Sequence, residues 1–105
     1  MLAPNIAVSY GAAAILHAIA SGRKFGLDIM EVTGLTSGTV YPTLERLESR
    51  GWLKSRWEDE AAAHAEGRPA RRYFALTASG ATALKAALVR YQALRPIPGF
   101  APEHG

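Results

Sequence analysis

The sequence predicts a mainly α-helical fold with one small β-hairpin, arranged as a winged helix-turn-helix with a C-terminal dimerisation helix. Three observations predict this class. Apolar residues recur with helical spacing in four segments, a short turn containing a glycine joins the second of these to the third, and two later segments alternate apolar and polar residues as strands do. We therefore expect the winged domain in residues 1–77, the dimerisation helix in residues 78–95 and an unstructured tail in residues 96–105.

The first two helices are predicted over residues 5–21 and 26–33. The first is rich in alanine, the best helix former, and the second is short. A glycine follows each helix, Gly22 and Gly34, where the chain is expected to turn. The residues predicted to face inward are Ala12, Ile15, Leu16 and Ile19 in the first helix, and Leu27, Ile29 and Met30 in the second.

The third helix has a marked start and a marked stop. Thr36 or Ser37 can cap its first turn, because a hydroxyl oxygen there accepts a backbone N–H that has no partner within the helix. Gly51 follows its last turn, where a glycine can adopt the left-handed conformation that closes a helix. One apolar stripe runs along it, formed by Val40, Leu44 and Leu47.

The opposite face of this helix begins with small and hydroxyl-bearing residues and carries an arginine further along. Proline is tolerated near a helix start, where few N–H groups have an intrahelical partner. Such a slim end fits a DNA major groove, with hydroxyl and backbone N–H groups on phosphates and the arginine on a base edge. The alternative is an ordinary surface helix with a polar front. The candidate DNA-binding residues here are Ser37, Gly38, Thr39, Tyr41, Pro42 and Arg46.

Two strands are predicted over residues 52–58 and 71–77, with a long, mobile hairpin tip over residues 59–70. A hairpin after a helix-turn-helix is a wing. Its basic side chains are candidates for phosphate or minor-groove contacts. The alternative is solubilising charge, partly neutralised by the acidic residues 58–60. The candidate DNA-binding residues of the wing are Lys54, Arg68, Arg71 and Arg72, and Arg56 is a further basic side chain.

The last helix is predicted over residues 78–94, with Thr77 as its N-cap. Its apolar stripe contains Ala81, Leu84, Leu88 and Tyr91 and is widened by Ala87 and Leu94. A wide stripe in so small a domain favours packing against the first helix and the same two helices of a second subunit, as a two-fold dimer. The alternative is that one chain buries the stripe by itself. The candidate interface residues are Ile15, Ile19, Leu84, Leu88 and Tyr91.

The composition narrows the class of protein. The chain has 105 residues, a net charge of +3 and no cysteine, which excludes disulfides, thiol catalysis and cysteine zinc sites. The mild positive charge favours an anionic partner. The most apolar run, residues 12–20, is too short to span a bilayer, and the N-terminus lacks the pattern of a secretory signal. We expect a cytoplasmic protein that does not contact the membrane.

Nothing in the sequence predicts an enzyme. Its histidines, His17, His64 and His104, have no metal-ligand spacing, and no nucleophile elbow or glycine-rich phosphate loop is present. The acidic residues of the hairpin tip, with His64 among them, are better interpreted as a solvated loop than as a cation site. We therefore expect no catalytic residues, no metal and no cofactor.

The motifs together resemble a known family. Residues 25–29 (FGLDI), 37–44 (SGTVYPTL), 47–53 (LESRGWL) and 67–77 (GRPARRYFALT) are similar to those of the PadR-like transcriptional regulators. The resemblance covers about residues 10–92 and implies a homodimeric repressor, with the start of the third helix and the Arg68 region on a pseudo-palindromic operator. The alternative is a winged-helix module for protein contacts that lacks sequence-specific DNA binding.

The single helix after the wing resembles the short subgroup of that family. Some short relatives bind flat aromatic compounds between their two subunits, which implies a small aromatic effector that releases the DNA. The candidate effector pocket consists of Tyr10, Trp52, Trp57 and Tyr91. The alternative is that these four aromatic residues pack in the core or at the subunit interface.

Overall fold

The structure is a computed structural model that describes residues 8–94, with side chains as far as Tyr91. The predicted winged helix-turn-helix followed by a long helix is confirmed. No helix of the described part is long and apolar enough to cross a membrane. The elements in chain order are α1 (Tyr10–Ala20), α2 (Gly26–Thr33), α3 (Ser37–Ser49), β1 (Leu53–Trp57), α4 (Glu60–Ala65), β2 (Arg72–Leu76) and α5 (Ala78–Leu94).

α1 starts later than the sequence predicted. Val8 and Ser9 are not helical, and the Ser9 hydroxyl accepts the N–H of Ala12 at 3.1 Å, which caps the helix at Tyr10. The predicted start, over residues 5–7, lies outside the described residues. At the other end the helix stops as expected, just before Gly22, whose φ is +105°.

The helix α2 has the predicted bounds, but its predicted inward face is partly wrong. Ile29 is fully buried and Met30 packs against the core, whereas Leu27 is 66% exposed. Two residues advance an α-helix by roughly 200°, so Leu27 and Ile29 lie on opposite sides and only one of them can face the core.

α3 ends in the way its sequence predicted. Gly51 has φ +81°, and its N–H donates to the carbonyl of Glu48 while the N–H of Trp52 donates to that of Leu47. These two bonds are the Schellman motif, which satisfies carbonyl groups of the last turn. The predicted apolar stripe, Val40, Leu44 and Leu47, is buried.

The core lies where α1 meets α2, α3, α5 and β2. Its fully buried large side chains are Ile15, Leu16, Ile29, Val40, Leu44 and Leu47. On the wing, β1 and β2 pair antiparallel, with Leu53 opposite Leu76 and Trp57 opposite Arg72. Strand residues alternate between faces, so Leu53 and Phe74 are buried while Lys54 and Ala75 are exposed.

The connection between the strands is a correction to the prediction of a mobile tip. It contains α4, in which Ala63 is fully buried. α4 ends like α3: Gly67 has φ +74°, and the N–H groups of Gly67 and Arg68 donate to the carbonyls of His64 and Ala63. The alanine run and the glycine after it were the helix signals in the sequence.

α5 packs on α1 through a stripe that contains the predicted Leu84, Ala87 and Tyr91 but begins at Gly80 in place of Ala81. Gly80, Leu84, Ala87 and Tyr91 are buried, whereas Ala81 is exposed. The Tyr91 hydroxyl donates to the Val8 carbonyl at 2.6 Å. Four of the five predicted interface residues, Ile15, Ile19, Leu84 and Tyr91, are therefore buried within one chain, and only Leu88 stays partly exposed.

The start of α5 is fixed on the turn between α3 and β1. The Thr77 Oγ1 accepts the N–H of Gly80 at 3.0 Å, which confirms the predicted cap, and donates to the Gly51 carbonyl at 2.6 Å. The Thr77 N–H donates to the Trp52 carbonyl at 3.1 Å. Helix and turn touch so closely that only glycine fits at position 80.

We expect Gly80→Ala to destabilise the fold by about 3 kcal/mol in urea denaturation, because the new β-carbon would lie 1.9 Å from the Trp52 carbonyl oxygen. The control is Gly11→Ala in α1, where a β-carbon meets no atom within 4 Å. Alanine's helix propensity should leave that variant as stable as the wild type or up to about 1 kcal/mol more stable. Equal stability of the two variants would contradict the close packing of α5 on the turn.

Candidate nucleic-acid interface

The first turn of α3 is open to an anion. Ser37, Gly38 and Thr39 are exposed, and the side chain of the N-cap residue Thr36 makes no capping hydrogen bond. The N-terminal end of a helix carries partial positive charge and points unpaired N–H groups outward. Phosphate oxygens can therefore approach the backbone here, with two hydroxyl groups beside it.

Pro42 is the sixth residue of α3 and so lies in its second turn. The sequence analysis had placed it near the helix start, in the first turn where proline is tolerated. A residue in its place would normally donate its N–H to the carbonyl of Gly38, and proline has none. The slim end of α3 thus presents a backbone carbonyl without its usual helical donor, beside the open N–H groups.

Tyr41 is 44% exposed and its ring lies against α2. A β-carbon on Gly26 would lie 2.3 Å from the Tyr41 hydroxyl oxygen, so the glycine is what allows this approach. The sequence analysis missed this role of Gly26. Further along α3, Arg46 is exposed and contacts the Thr43 Oγ1 at 3.3 Å. Within residues 8–91, no carboxylate pairs with Arg46.

Arg72 is engaged by the protein itself. From β2 its guanidinium reaches across to α3, where Nη1 donates to Glu45 Oε2 at 2.7 Å and Nη2 donates to Glu48 Oε1. Its Nε donates to Ser55 Oγ on β1 at 3.0 Å. The hydrogen bonds and negative charges of the two glutamates, led by the hydrogen bond with Glu45, raise the pKa of Arg72. Arg72 thus connects both strands of the wing with the helix.

Arg68 is paired inside the wing. Its guanidinium donates two hydrogen bonds to Glu58, at 2.6 and 2.7 Å, and contacts Glu66 at 3.1 Å. The Arg71 N–H also donates to Glu58. The Arg68 hydrogen bonds are the main cause that lowers the pKa of Glu58 from 4.5 to about 2. Of the acidic residues 58–60, Glu58 therefore neutralises a wing arginine, as the alternative interpretation expected. The Arg68–Glu58 pair joins the two ends of the segment that contains α4.

In the part of the wing that is described, Lys54, Arg56 and Arg71 have no carboxylate partner, and the first two lie on the outer face of the hairpin. Lys54 and Arg56 are exposed there, with the Arg56 guanidinium 5.3 Å from the centre of the Tyr73 ring. Arg71 stands 4.2 Å above the Phe25 ring. Lys24 lies beside Lys54 and Arg56, because its carbonyl accepts the Phe74 N–H and so holds this part of the chain against β2. Lys24 could not be predicted as part of this surface, because it is remote from the hairpin along the chain.

The four residues of the candidate effector pocket are distributed over three places. Tyr10 and Tyr91 contact each other edge to face, with ring centres 5.6 Å apart, and burial raises the pKa of Tyr10. Trp52 packs against the core beside Arg50. Trp57 is 65% exposed and lines a groove of about 360 Å³ between α2, α3 and the wing, shared with Leu27 and Tyr41.

The comparisons with known proteins identify the family. Residues 15–86 match the model of the transcriptional regulator PadR-like family. The chain belongs to this family. Its members are DNA-binding transcriptional regulators and not enzymes, so the expectation of no catalytic activity agrees with the family. None of the curated proteins compared with the chain matches it.

Solved structures show the same fold. A PadR family transcription regulator from Clostridium difficile has a TM-score of 0.71 at 23% identity, over 82% of this chain and 91% of that chain. A Streptococcus mutans protein has a TM-score of 0.70 at 26% identity, over 90% and 86%. A transcriptional regulator from Clostridium thermocellum has a TM-score of 0.68 at 22% identity, over 81% and 85%.

Metal binding finds no support in the described residues. No three histidine, aspartate or glutamate side chains of that part converge as ligands. In the acidic tip, Glu58 and Glu66 are both directed to Arg68.

We expect the wing tip to open in acid before the core does. Because the pKa of Glu58 is about 2 in the fold and 4.5 without its partners, the ion pair stabilises the tip fully above about pH 4.5 and progressively less as the pH falls toward 2. Hydrogen-exchange protection factors of the α4 amides should fall across this window.

The variant Glu58→Gln should show weak α4 protection already at pH 7. Glu31→Gln removes an equal charge from the exposed side of α2 and should leave α4 protected. Full protection of α4 in Glu58→Gln would show that Arg68 does not hold the tip.

Proposed function

We propose that this PadR-like chain is a repressor that binds a pseudo-palindromic operator as a two-fold homodimer. The observation that carries the proposal is the open, slim start of α3, with its exposed hydroxyls and uncapped N–H groups, in a chain of a DNA-binding family. Two such helices related by a two-fold axis would enter successive major grooves, about 34 Å apart.

Each part of the surface has a distinct role in this proposal. Ser37, Thr39 and the backbone at the start of α3 bind phosphates, and Tyr41 lies along the groove wall. Arg46 has no carboxylate partner among the described residues and reads a base edge. The unpaired cations of the wing, Lys54 among them, bind the flanking phosphates.

The dimer would form on α5, beside the stripe that α1 already covers. Leu88 is partly exposed, and the neighbouring Val89 is 63% exposed, so the two form an apolar pair on the open side of α5. Ala86 and Thr82 continue the exposed side of α5 with small residues, about one and two turns before Val89. Release of the DNA by a small aromatic effector bound between subunits stays a prediction, and within one chain its four candidate residues do not form one pocket.

The first test is a mobility-shift titration of the purified chain against the DNA upstream of its own gene, at two salt concentrations. Tight, salt-sensitive binding that survives excess random DNA supports the repressor. If the chain binds the upstream DNA no more tightly than random DNA, the operator lies elsewhere, and genomic fragments that bind the chain are selected next. Affinity that is absent, or insensitive to salt, for every fragment would favour the protein-contact module instead.

We expect Arg46→Ala to weaken operator binding by about ten- to a hundredfold, as loss of one bidentate base contact does, and to change random-DNA binding much less. Lys85→Ala on α5 removes the same charge from an exposed position away from α3 and should bind the operator like the wild type. If Arg46→Ala weakened operator and random DNA equally, Arg46 would be a phosphate contact.

Val89→Lys should shift the chain from dimer to monomer in sedimentation equilibrium, because a charged side chain would replace an apolar contact at the interface centre. The matched control is Val32→Lys, which changes a valine 48% exposed on α2. A chain that is dimeric in both variants would place the interface elsewhere.

A further inference from the structure

The guanidinium of Arg72 is already hydrogen-bonded within the protein, unlike that of a residue free to bind a phosphate. Its Nη1, Nη2 and Nε each donate to a protein acceptor: Glu45, Glu48 and Ser55. Ser55 Oγ in turn donates to the second oxygen of Glu48 at 2.8 Å, so the Arg72, Glu48 and Ser55 side chains form a closed ring of hydrogen bonds. The guanidinium also stacks 5.1 Å from the centre of the Phe74 ring.

This ring joins three elements. Arg72 lies on β2, Ser55 on β1, and Glu48 with Glu45 on α3. None of these partners lies on the same element as Arg72, so the contacts hold the three elements in a fixed arrangement. A planar guanidinium suits the task, because its donors point in fixed directions, whereas an ammonium group is a single point charge.

The charge balance also argues against a phosphate contact. One guanidinium stands between two carboxylates, and Glu45 is the more exposed of the two. A DNA strand that approached Arg72 would therefore meet a local excess of negative charge. Breaking either pair to free the arginine would leave a carboxylate facing DNA without a partner.

We propose that Arg72 is a positioning residue that holds the wing against the recognition helix α3, and that it does not bind phosphate. This inference rests on the proposed DNA-binding function. It reassigns a residue that the sequence placed among the DNA contacts. Arg72 fixes the angle between hairpin and helix before DNA binds. The wing cations then reach the duplex together with α3 without a further cost of ordering the wing, so losing Arg72 weakens binding while the phosphate contacts still form.

Salt dependence of operator affinity separates the two roles. Removing one phosphate contact reduces the slope of log affinity against log salt by about 0.9. Lys54→Gln, the comparator from the outer face of the wing, should show this reduction. Arg72→Gln should weaken binding about tenfold with the wild-type slope. An equal reduction of slope in both variants would overturn the proposal.

Two further variants have opposite expectations under the two roles. Glu48→Gln makes the chain more positive. It should weaken binding severalfold because Arg72 loses one of its two carboxylate partners and the Ser55 hydroxyl loses its acceptor, whereas a freed phosphate-binding arginine would tighten binding. Arg72→Lys keeps the positive charge but loses the planar set of donors. Its DNA affinity should stay close to that of Arg72→Gln, whereas lysine would restore most of the affinity if residue 72 bound a phosphate. Tighter binding by Glu48→Gln, or rescue by Arg72→Lys, would each contradict the proposal.

A measurement without DNA separates failure of this inference from failure of the DNA-binding proposal. In the free protein, Arg72→Gln should accelerate amide exchange in β1 and β2, while Lys54→Gln should not. Wild-type protein that binds no DNA would overturn the proposed function, and the exchange data would still decide whether Arg72 holds the wing. Unchanged exchange in Arg72→Gln would overturn the positioning role whatever the DNA result.

Discussion

The turn between α3 and β1 is the contact on which the other elements depend. Gly51 reverses the chain there, so that its own N–H and that of Trp52 close the end of α3. The carbonyls of the same two residues then accept both hydrogen bonds from Thr77, and Gly80 lets α5 approach the turn. Recognition helix, wing and terminal helix therefore meet at one place. If a second subunit binds to α5, this turn sets the distance between that subunit and α3.

Signals within a few residues were enough to predict most of the elements. Gly34 and Gly51 end helices in left-handed conformations, and Thr77 caps α5, as the sequence indicated. The alternation that predicted the two strands agrees with their burial at Leu53 and Phe74 and with the exposure of Lys54 and Ala75. α4 was predictable in principle, because an alanine run followed by Gly67 is a helix with a stop, but a hairpin tip was expected to be a loop.

Contacts between distant residues could not be predicted in this way. Helical periodicity suggested which side of α5 is apolar, but only the docking of Gly80 on the turn rotates Ala81 outward. Burial of Tyr91 against α1 within one chain likewise depends on tertiary packing. Among the basic residues, composition could not tell Arg72, whose partners Glu45 and Glu48 lie on another element, from Lys54, which has none among the described residues.

The pairing of Arg68 and Arg72 changes how DNA binding by this family member is to be understood. A guanidinium committed to carboxylates releases no counterion when DNA arrives, so the wing offers fewer phosphate contacts than its composition suggests. Non-specific affinity, which is almost wholly electrostatic, should then be modest. In the proposed complex, specific affinity comes from placing α3 and the wing on the duplex at once. Glu45 and Glu48 are committed to Arg72 and hold the wing against α3, although the group as a whole keeps an excess of negative charge.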